Sequence, residues 1–254
     1  MSDAMRTLAV DVGGTGIKGS VLDAKGTEQA ERVRVATTYP MTPEHLVEVI
    51  GDLAGRLPEY DRVSVGFPGV VREGAVRTAP HFVTKRGPGT PISSDLTRKW
   101  DRFDLAGALL KKLGKPTRVA NDADLQGAAV IAGKGLEMVV TLGTGVGTAL
   151  FWHGRLAPHL ELAHHPFRRD ETYNEQIGDA ARKRLGKRRW NRRVREALRT
   201  LDALVLYDHL YVGGGNATRI NFDPGPDVSV ISNEAGILGG IKLWEGLISE
   251  GSDL

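Results

Sequence analysis

Two segments of this 254-residue chain join glycine and threonine, the first of them with charge, in a pattern suited to handling phosphate. The first is Asp11-x-Gly13-Gly14-Thr15-x-x-Lys18 and the second is the turn Gly143–Thr144–Gly145. Glycines allow backbone amides to approach phosphate oxygens, Thr15 can donate a hydrogen bond, Lys18 supplies charge, and Asp11 can hold a Mg2+ ion directly or through its water. Gly14, Gly16 and Gly19 also satisfy G-x-G-x-x-G, but that fingerprint must open a helix whose N-terminus receives the pyrophosphate. Ile17 to Leu22 reads instead as strand, so a dinucleotide fold is rejected. A plain glycine hairpin is the ordinary reading of the first segment alone; the aspartate, the lysine and the second glycine turn weigh against it.

Hydrophobic alternation and turn residues give an α/β text that can position these groups. Thr7–Val12, Gly16–Leu22 and Glu31–Ala36 read as an antiparallel meander, and Pro43 opens a helix to about Leu57 with Leu46, Val49, Ile50 and Leu53 on one face. Val63–Phe67 returns as strand, followed by the Pro68–Gly69 turn, a hairpin around Gly74 and a loop from Pro80 to Pro91. After a helix at Leu105–Leu113 and a short strand at Thr117–Ala120, Asn121 can cap a helix running to about Ala132. Leu136–Leu142 and Thr148–Trp152 flank the second glycine turn. This hairpin resembles the first and suggests a duplicated meander, hence two related halves, 1–115 and 116–254. Helices follow around Tyr173–Tyr207, then a strand at Leu210–Val212 ending in Gly213–Gly214–Gly215, and a closing helix near Ile237–Ile248.

Composition narrows the classes. No apolar run approaches a membrane helix, the first ten residues lack a basic n-region followed by a long apolar core, and a cytoplasmic protein without a secretory signal is expected. The absence of cysteine excludes disulfides, thiolate zinc sites, iron–sulfur clusters and cysteine nucleophiles. The net charge of +3 hides a concentration: ten Lys or Arg residues and one acid lie between Arg182 and Arg199, and without them the remainder is acidic. In that segment Ile177, Ala181, Leu185, Trp190, Val194, Leu198 and Leu201 recur at helical spacing, with Gly186 separating two helices and basic residues on the opposite faces. Such a face is either simply solvated or meets a polyanion.

Six motifs in order resemble the ROK (repressor, ORF, kinase) sugar kinases, and within them the polyphosphate-using glucokinase branch. They are DVGGTGIKG (Asp11–Gly19), VGFPGVV (Val65–Val71), ANDAD (Ala120–Asp124), TLGTGVGTALF (Thr141–Phe151), LELAHH (Leu160–His165) and YVGGGNA (Tyr211–Ala217). The resemblance implies a two-domain actin-like, ribonuclease-H-like ATPase fold: duplicated mixed sheets flanked by helices, a cleft between domains, and the C-terminal helix joining the first. It implies that Asp122 is the catalytic base and Asn121 a sugar-hydroxyl ligand. A carboxylate at a strand-to-helix junction can take the proton of an attacking hydroxyl, although capping is the plainer use of the Asn-Asp pair. Glu161 and His164 match the sugar clamp, Gly69 and His81 fall in its sugar-loop positions, and Gly213, Gly214 and Gly215 match the nucleotide turn. Asp11, Gly13, Gly14, Thr15, Lys18, Thr144 and Gly145 would hold donor phosphates.

The implied reaction moves a terminal phosphoryl group from inorganic polyphosphate, ATP or both to the 6-hydroxyl of glucose, with Mg2+ on the donor near Asp11. Lys187, Arg188, Arg189, Arg192 and Arg193 would then hold polyphosphate. Departures leave other readings open. The segment after Glu161–His164 lacks the cysteines of a zinc motif, so no zinc site is expected; His165 competes with His164; and His81–Phe82 replaces the usual Asn-Leu pair. The alternatives are an ATP-only kinase for mannose, allose or an N-acetyl sugar, and a non-catalytic sugar or polyphosphate sensor. A homodimer is expected; membrane and nucleic-acid partners are not.

Overall fold

In the computed structural model, which describes residues 5–87, 89–231 and 235–245, the alternating segments become two sheets built on one plan. Strands β1 (Thr7–Val12), β2 (Gly16–Leu22) and β3 (Val33–Ala36) form an antiparallel meander. Helix α1 (Pro43–Ala54) starts behind Thr42, whose hydroxyl accepts from the His45 amide, and its Leu46, Ile50 and Leu53 are fully buried. Strand β4 (Arg62–Phe67) pairs parallel with β1. A hairpin of β5 (Val71–Arg72) and β6 (Ala75–Val76), then α2 (Ser94–Trp100) and α3 (Leu105–Leu113), lead to β7 (Thr117–Asn121), parallel to β4. The sheet order is β3-β2-β1-β4-β7. Phe67, Phe82 and Trp100 are buried together in its core with ring centroids 5.3–5.6 Å apart.

The plan then repeats. After α4 (Asp122–Ala128), β8 (Leu136–Leu142), β9 (Val146–Trp152) and β10 (Arg155–Leu156) form a second antiparallel meander. A small hairpin, β11 (Pro166–Arg168) and β12 (Glu171–Thr172), precedes α5 (Tyr173–Ile177) and α6 (Asp179–Val205). Strands β13 (His209–Gly213) and β14 (Val228–Val230) add in parallel, giving β10-β9-β8-β13-β14. Gly186 breaks α6 with φ 72° and ψ 165°, so two helical pieces meet there as the spacing predicts. The piece after the break buries Trp190, Val194, Leu198 and Leu201, and the Trp190 indole N–H donates to the Ile177 carbonyl at 2.8 Å.

The chain divides into one unit ending at Leu125 and resumed at Gly236, and a second from Gln126 to Ala235. The boundary lies after Leu125 rather than near Lys115, because Phe67 pairs with Asn121 and β7 therefore stays with the first sheet. Asp122 accordingly belongs to the first unit, not the second. Helix α7 (Ala235–Lys242) returns to that unit, and the part of the expected closing helix from 246 to Ile248 lies outside the described residues. The buried Ser64 hydroxyl donates to the Gly240 carbonyl at 2.6 Å and accepts from the Trp244 indole at 2.8 Å. Helix α4 stops at Ala128, short of Ala132. The buried Glu137 carboxylate accepts from the amides of Ala132, Gly133 and Lys134 at 2.7–3.0 Å, which satisfies them outside a helix.

Candidate active site

In the first unit β1, β4 and β7 are parallel, so their carboxyl ends share one edge, with Asp11 opposite Gly66 and Gly66 opposite Ala120. That edge is where open α/β sheets receive ligands. The β1–β2 turn sits on it, closed by the Gly13 amide donating to the Gly16 carbonyl at 3.0 Å. A Cβ on Gly13 would lie 2.9 Å from that carbonyl oxygen, which explains the residue. The Gly13 and Gly14 carbonyls accept from Thr37 Oγ1 (2.6 Å) and the Tyr39 hydroxyl (2.8 Å), fixing the orientation of both peptides. Burial pushes the Tyr39 phenol up to about 12, so it stays a donor across the physiological range. Asp11 and Lys18 are register partners with Oδ2 and Nζ 3.5 Å apart. The row extends to Arg34, which pairs with Lys18 and whose guanidinium lies over Gly16. Arg34 is a second cation at the β1–β2 glycine turn that motif reading passed over; only the strand register exposes it.

On the same edge Asn121 ends β7 and Asp122 begins α4. The buried Asn121 accepts from the amides of Ala123 (2.8 Å) and Asp124 (3.3 Å) and donates through Nδ2 to the Gly69 carbonyl at 3.1 Å. Its carbonyl oxygen is thus committed to capping, and its second amide hydrogen is what it can offer a ligand. Asp122 is partly exposed as the first residue of α4, and one of its oxygens accepts from the Ala123 amide at 2.9 Å. Gly69 is hemmed in: a Cβ there would sit 2.1 Å from the Thr78 carbonyl oxygen. His81 is half-buried and its carbonyl accepts from Thr84 Oγ1 at 3.1 Å, while Phe82 beside it is core.

The second unit repeats the arrangement at the carboxyl ends of β8 and β13. The Gly143 amide donates to the Gly145 carbonyl at 2.9 Å, and Asn174 Oδ1 accepts from the Val146 amide at 2.8 Å, leaving no room for a side chain on Gly145. Gly213 pairs with Thr141, and Gly214 has φ 86° and room for no side chain, since a Cβ there would lie 2.5 Å from the Leu142 carbonyl oxygen. Asn216 donates to both the Gly143 carbonyl and Asp179 Oδ1 at 3.2 Å, and the Asp179 amide reaches the Gly143 carbonyl at 3.2 Å. One aspartate and one asparagine therefore join the Gly143–Gly145 and Gly213–Gly215 turns. Hydrogen bonds from Lys183, Arg182 and Asn216 outweigh partial burial and hold the Asp179 carboxyl down at about 2.

Glu161 lies in the same unit, beside Leu160, whose carbonyl accepts from Thr148 Oγ1 of β9 at 2.8 Å. His164 Nε2 is 3.9 Å from one Glu161 oxygen and His159 Nε2 is 3.5 Å from the other. His165 turns away, with Nδ1 2.8 Å from the Pro166 carbonyl and its ring 6.5 Å from Tyr173. The imidazole grouped with Glu161 is thus His164, joined by a buried His159 two residues before the glutamate. Sequence reading missed His159, whose one signal is its place directly ahead of the Glu-x-x-His segment.

On α6, Lys187, Arg188, Arg189 and Arg192 are exposed, whereas Arg193 is half-buried. Arg192, Arg195, Glu196, Arg199, Thr200 and Ala203 line an open groove of about 500 Å³ along the helix.

Comparison with known proteins fits this geometry. The ROK family profile matches residues 7–164. A polyphosphate glucokinase of Mycobacterium tuberculosis (strain H37Rv) is 31% identical over 219 residues, spanning 83% of this chain and 77% of that protein. Among solved structures, the inorganic polyphosphate/ATP-glucomannokinase of Arthrobacter sp. strain KM superposes with a TM-score of 0.79 at 29% identity, over 94% of this chain and 98% of that one. A ROK family glucokinase from Streptomyces griseus, solved with glucose and AMPPNP, has a TM-score of 0.71 at 19% identity over the same shares, which speaks for the fold.

Proposed function

The chain belongs to the ROK family, and from that membership we infer that it transfers the terminal phosphoryl group of inorganic polyphosphate, of ATP, or of both to the 6-hydroxyl of glucose. The observation that carries this reading is the shared carboxyl edge of β1, β4 and β7. It bears the glycine turn with Asp11 and Lys18 together with Asp122 at the head of α4. Phosphate-binding amides and a carboxylate base are the two things a sugar kinase must supply.

Asp122 accepts the proton of the attacking 6-hydroxyl while the sugar oxygen bonds to the terminal phosphorus and the bond to the bridging oxygen breaks. The leaving group is polyphosphate shortened by one unit, or ADP. Amides of the Gly13–Thr15 and Thr144–Gly145 turns, Thr15, Thr144 and Lys18 stabilise charge on the donor phosphates. Gly213–Gly215 provide a bare backbone surface for a nucleotide. Glu161 and His164 hold sugar hydroxyls, as does the free amide hydrogen of Asn121, and the backbone around Gly69 and His81 shapes the sugar loop.

The Asp11 carboxylate, 3.5 Å from Lys18 Nζ, keeps 27% of its side-chain exposure beside the β1–β2 glycine turn. That suits Mg2+, which is commonly held by one or two carboxylates plus substrate phosphates. Asp11 would hold it, and bound there it neutralises donor charge. The exposed Lys187, Arg188, Arg189 and Arg192, with Arg193, favour polyphosphate as a donor, because a long polyanion gains from many charge-assisted contacts.

The test is a donor-by-sugar matrix: purified protein, Mg2+, ATP or polyphosphate, and glucose, mannose, allose or N-acetylglucosamine, scored for sugar phosphate. Glucose phosphorylation from polyphosphate supports the reading in full. ATP alone removes the polyphosphate assignment, another sugar replaces glucose, and sugar binding without any product replaces the kinase by a sensor.

A further inference from the structure

Arg193 is the odd member of the basic helix. Its Nη1 is sealed from solvent and has no hydrogen-bond partner among the described residues. Burial, and the charges of Arg168, Arg184 and Arg169, push its pKa below the usual arginine value.

Glu171 offsets part of this charge, but it and Glu196 are shared with other groups. Arg168 Nη1 donates to Glu196 at 2.9 Å, and Arg184 Nη2 lies 3.7 Å from Glu171, which also receives the Gln176 side-chain amide. Arg184 also donates to the Glu175 carbonyl at 3.3 Å. Positive charge therefore exceeds negative in a partly desolvated place. The β11–β12 hairpin that carries Arg168 turns through two non-glycine residues at positive φ, Arg169 (53°) and Asp170 (61°), a conformation that costs energy. A buried guanidinium N–H without an acceptor is destabilising, and a bound oxyanion would offset that cost.

We propose that Arg193, with Arg168 and Arg184, forms a recessed oxyanion site that anchors one non-terminal phosphate group of a polyphosphate donor. The proposal rests on polyphosphate being a donor and adds two residues outside the exposed stripe. Arg193 lies after the Gly186 break, in the piece of α6 whose Trp190 reaches back to the Ile177 carbonyl, Arg184 lies before the break and Arg168 on the β11–β12 hairpin, so three separate pieces of chain converge. A polyphosphate chain has further phosphates to place there while its terminal unit reacts, whereas ATP has only its own three.

The experiment compares wild type with R168Q, R193M and the double variant. Each is assayed with ATP, tripolyphosphate and long-chain polyphosphate, and binding of long-chain polyphosphate is measured by calorimetry without sugar. We expect KM for the long chain to rise about 10- to 100-fold relative to that for ATP, the loss of one or two charge-assisted hydrogen bonds. The advantage of the long chain over tripolyphosphate should shrink with it. R193M should also melt at a higher temperature than wild type without ligand, and long-chain polyphosphate should raise the wild-type melting temperature more than that of R193M. Equal changes for all donors, or unchanged long-chain binding in the double variant, overturn the site. If wild type binds polyphosphate without using it, the donor reading falls, and the calorimetric comparison alone decides the site. R168Q, changed at a partly exposed arginine, provides the decision should R193M fail to fold.

Discussion

The Asn121 side chain donates to the Gly69 carbonyl at 3.1 Å while its own oxygen caps α4, so one residue fixes both the Pro68–Gly69 turn and the helix that begins with Asp122. Replacement by alanine removes both bonds. Loss of such a cap and hydrogen bond costs about 1–2 kcal/mol, which lowers Tm by about 2–4 °C per kcal/mol in a chain of this size. N121D keeps an acceptor for the cap but cannot donate to Gly69. It should therefore retain more stability than N121A and still lose kcat, as measured by thermal unfolding beside glucose phosphorylation. Wild-type turnover in N121D would show that the Gly69 tie has no part in the reaction.

Asp122→Asn preserves shape at the head of α4 and removes the proton acceptor. Turnover should fall by about 10²- to 10⁴-fold with glucose affinity nearly intact, since a base contributes to the transition state and little to ground-state binding. Glucose titration of the variant by calorimetry, paired with a rate measurement, checks this. A folded D122N with ordinary turnover would remove the assignment.

Much of this arrangement is legible in the residues alone, and the illegible parts have a common cause. The two glycine hairpins announce themselves through local chemistry, and Gly186 breaks α6 where the periodicity places the break. Pairings distant in sequence are different. The helix from Asp122 reads as continuing to Ala132, yet the Val130 and Ile131 amides both turn to the Gly127 carbonyl and Glu137 takes the Ala132, Gly133 and Lys134 amides, and nothing in the local pattern tells of that carboxylate. The unit boundary depends on β7 choosing β4 as its partner, and Arg34 enters the first glycine turn only through its register with Lys18. His159 and Arg193 look like surface residues in the sequence because burial of a polar group depends on which elements pack over it.

Arg34 and Lys18 offer a graded test of the phosphate turn. K18M should lower kcat/KM for either donor by about 10²-fold, comparable to loss of one preorganised electrostatic group. R34Q should produce a smaller loss in the same parameter, because its guanidinium lies over Gly16 rather than beside Asp11. Steady-state kinetics with the donor varied and sugar saturating separates the two. Donor kinetics of R34Q identical to wild type would return Arg34 to the solvated surface.

Asp179 predicts a pH signature. Its carboxyl is held at about 2 against an ordinary 3.8, so the folded state favours the ionised form. The stabilisation is complete above the unfolded-state value and is lost as pH falls through the folded value, a window from about 4 down to about 2. At neutral pH it amounts to about 2 kcal/mol, at 1.36 kcal/mol per unit. D179N should therefore unfold at lower denaturant than wild type at pH 7, and the gap should narrow through that window as the wild-type carboxyl protonates. Because Asp179 and Asn216 join the two glycine turns, KM for the donor should rise in the same variant. Urea unfolding of both proteins at neutral and acid pH makes the comparison. A gap that stays constant across the window would mean that Asp179 acts through shape alone, and its charge would then have no part in holding the turns together.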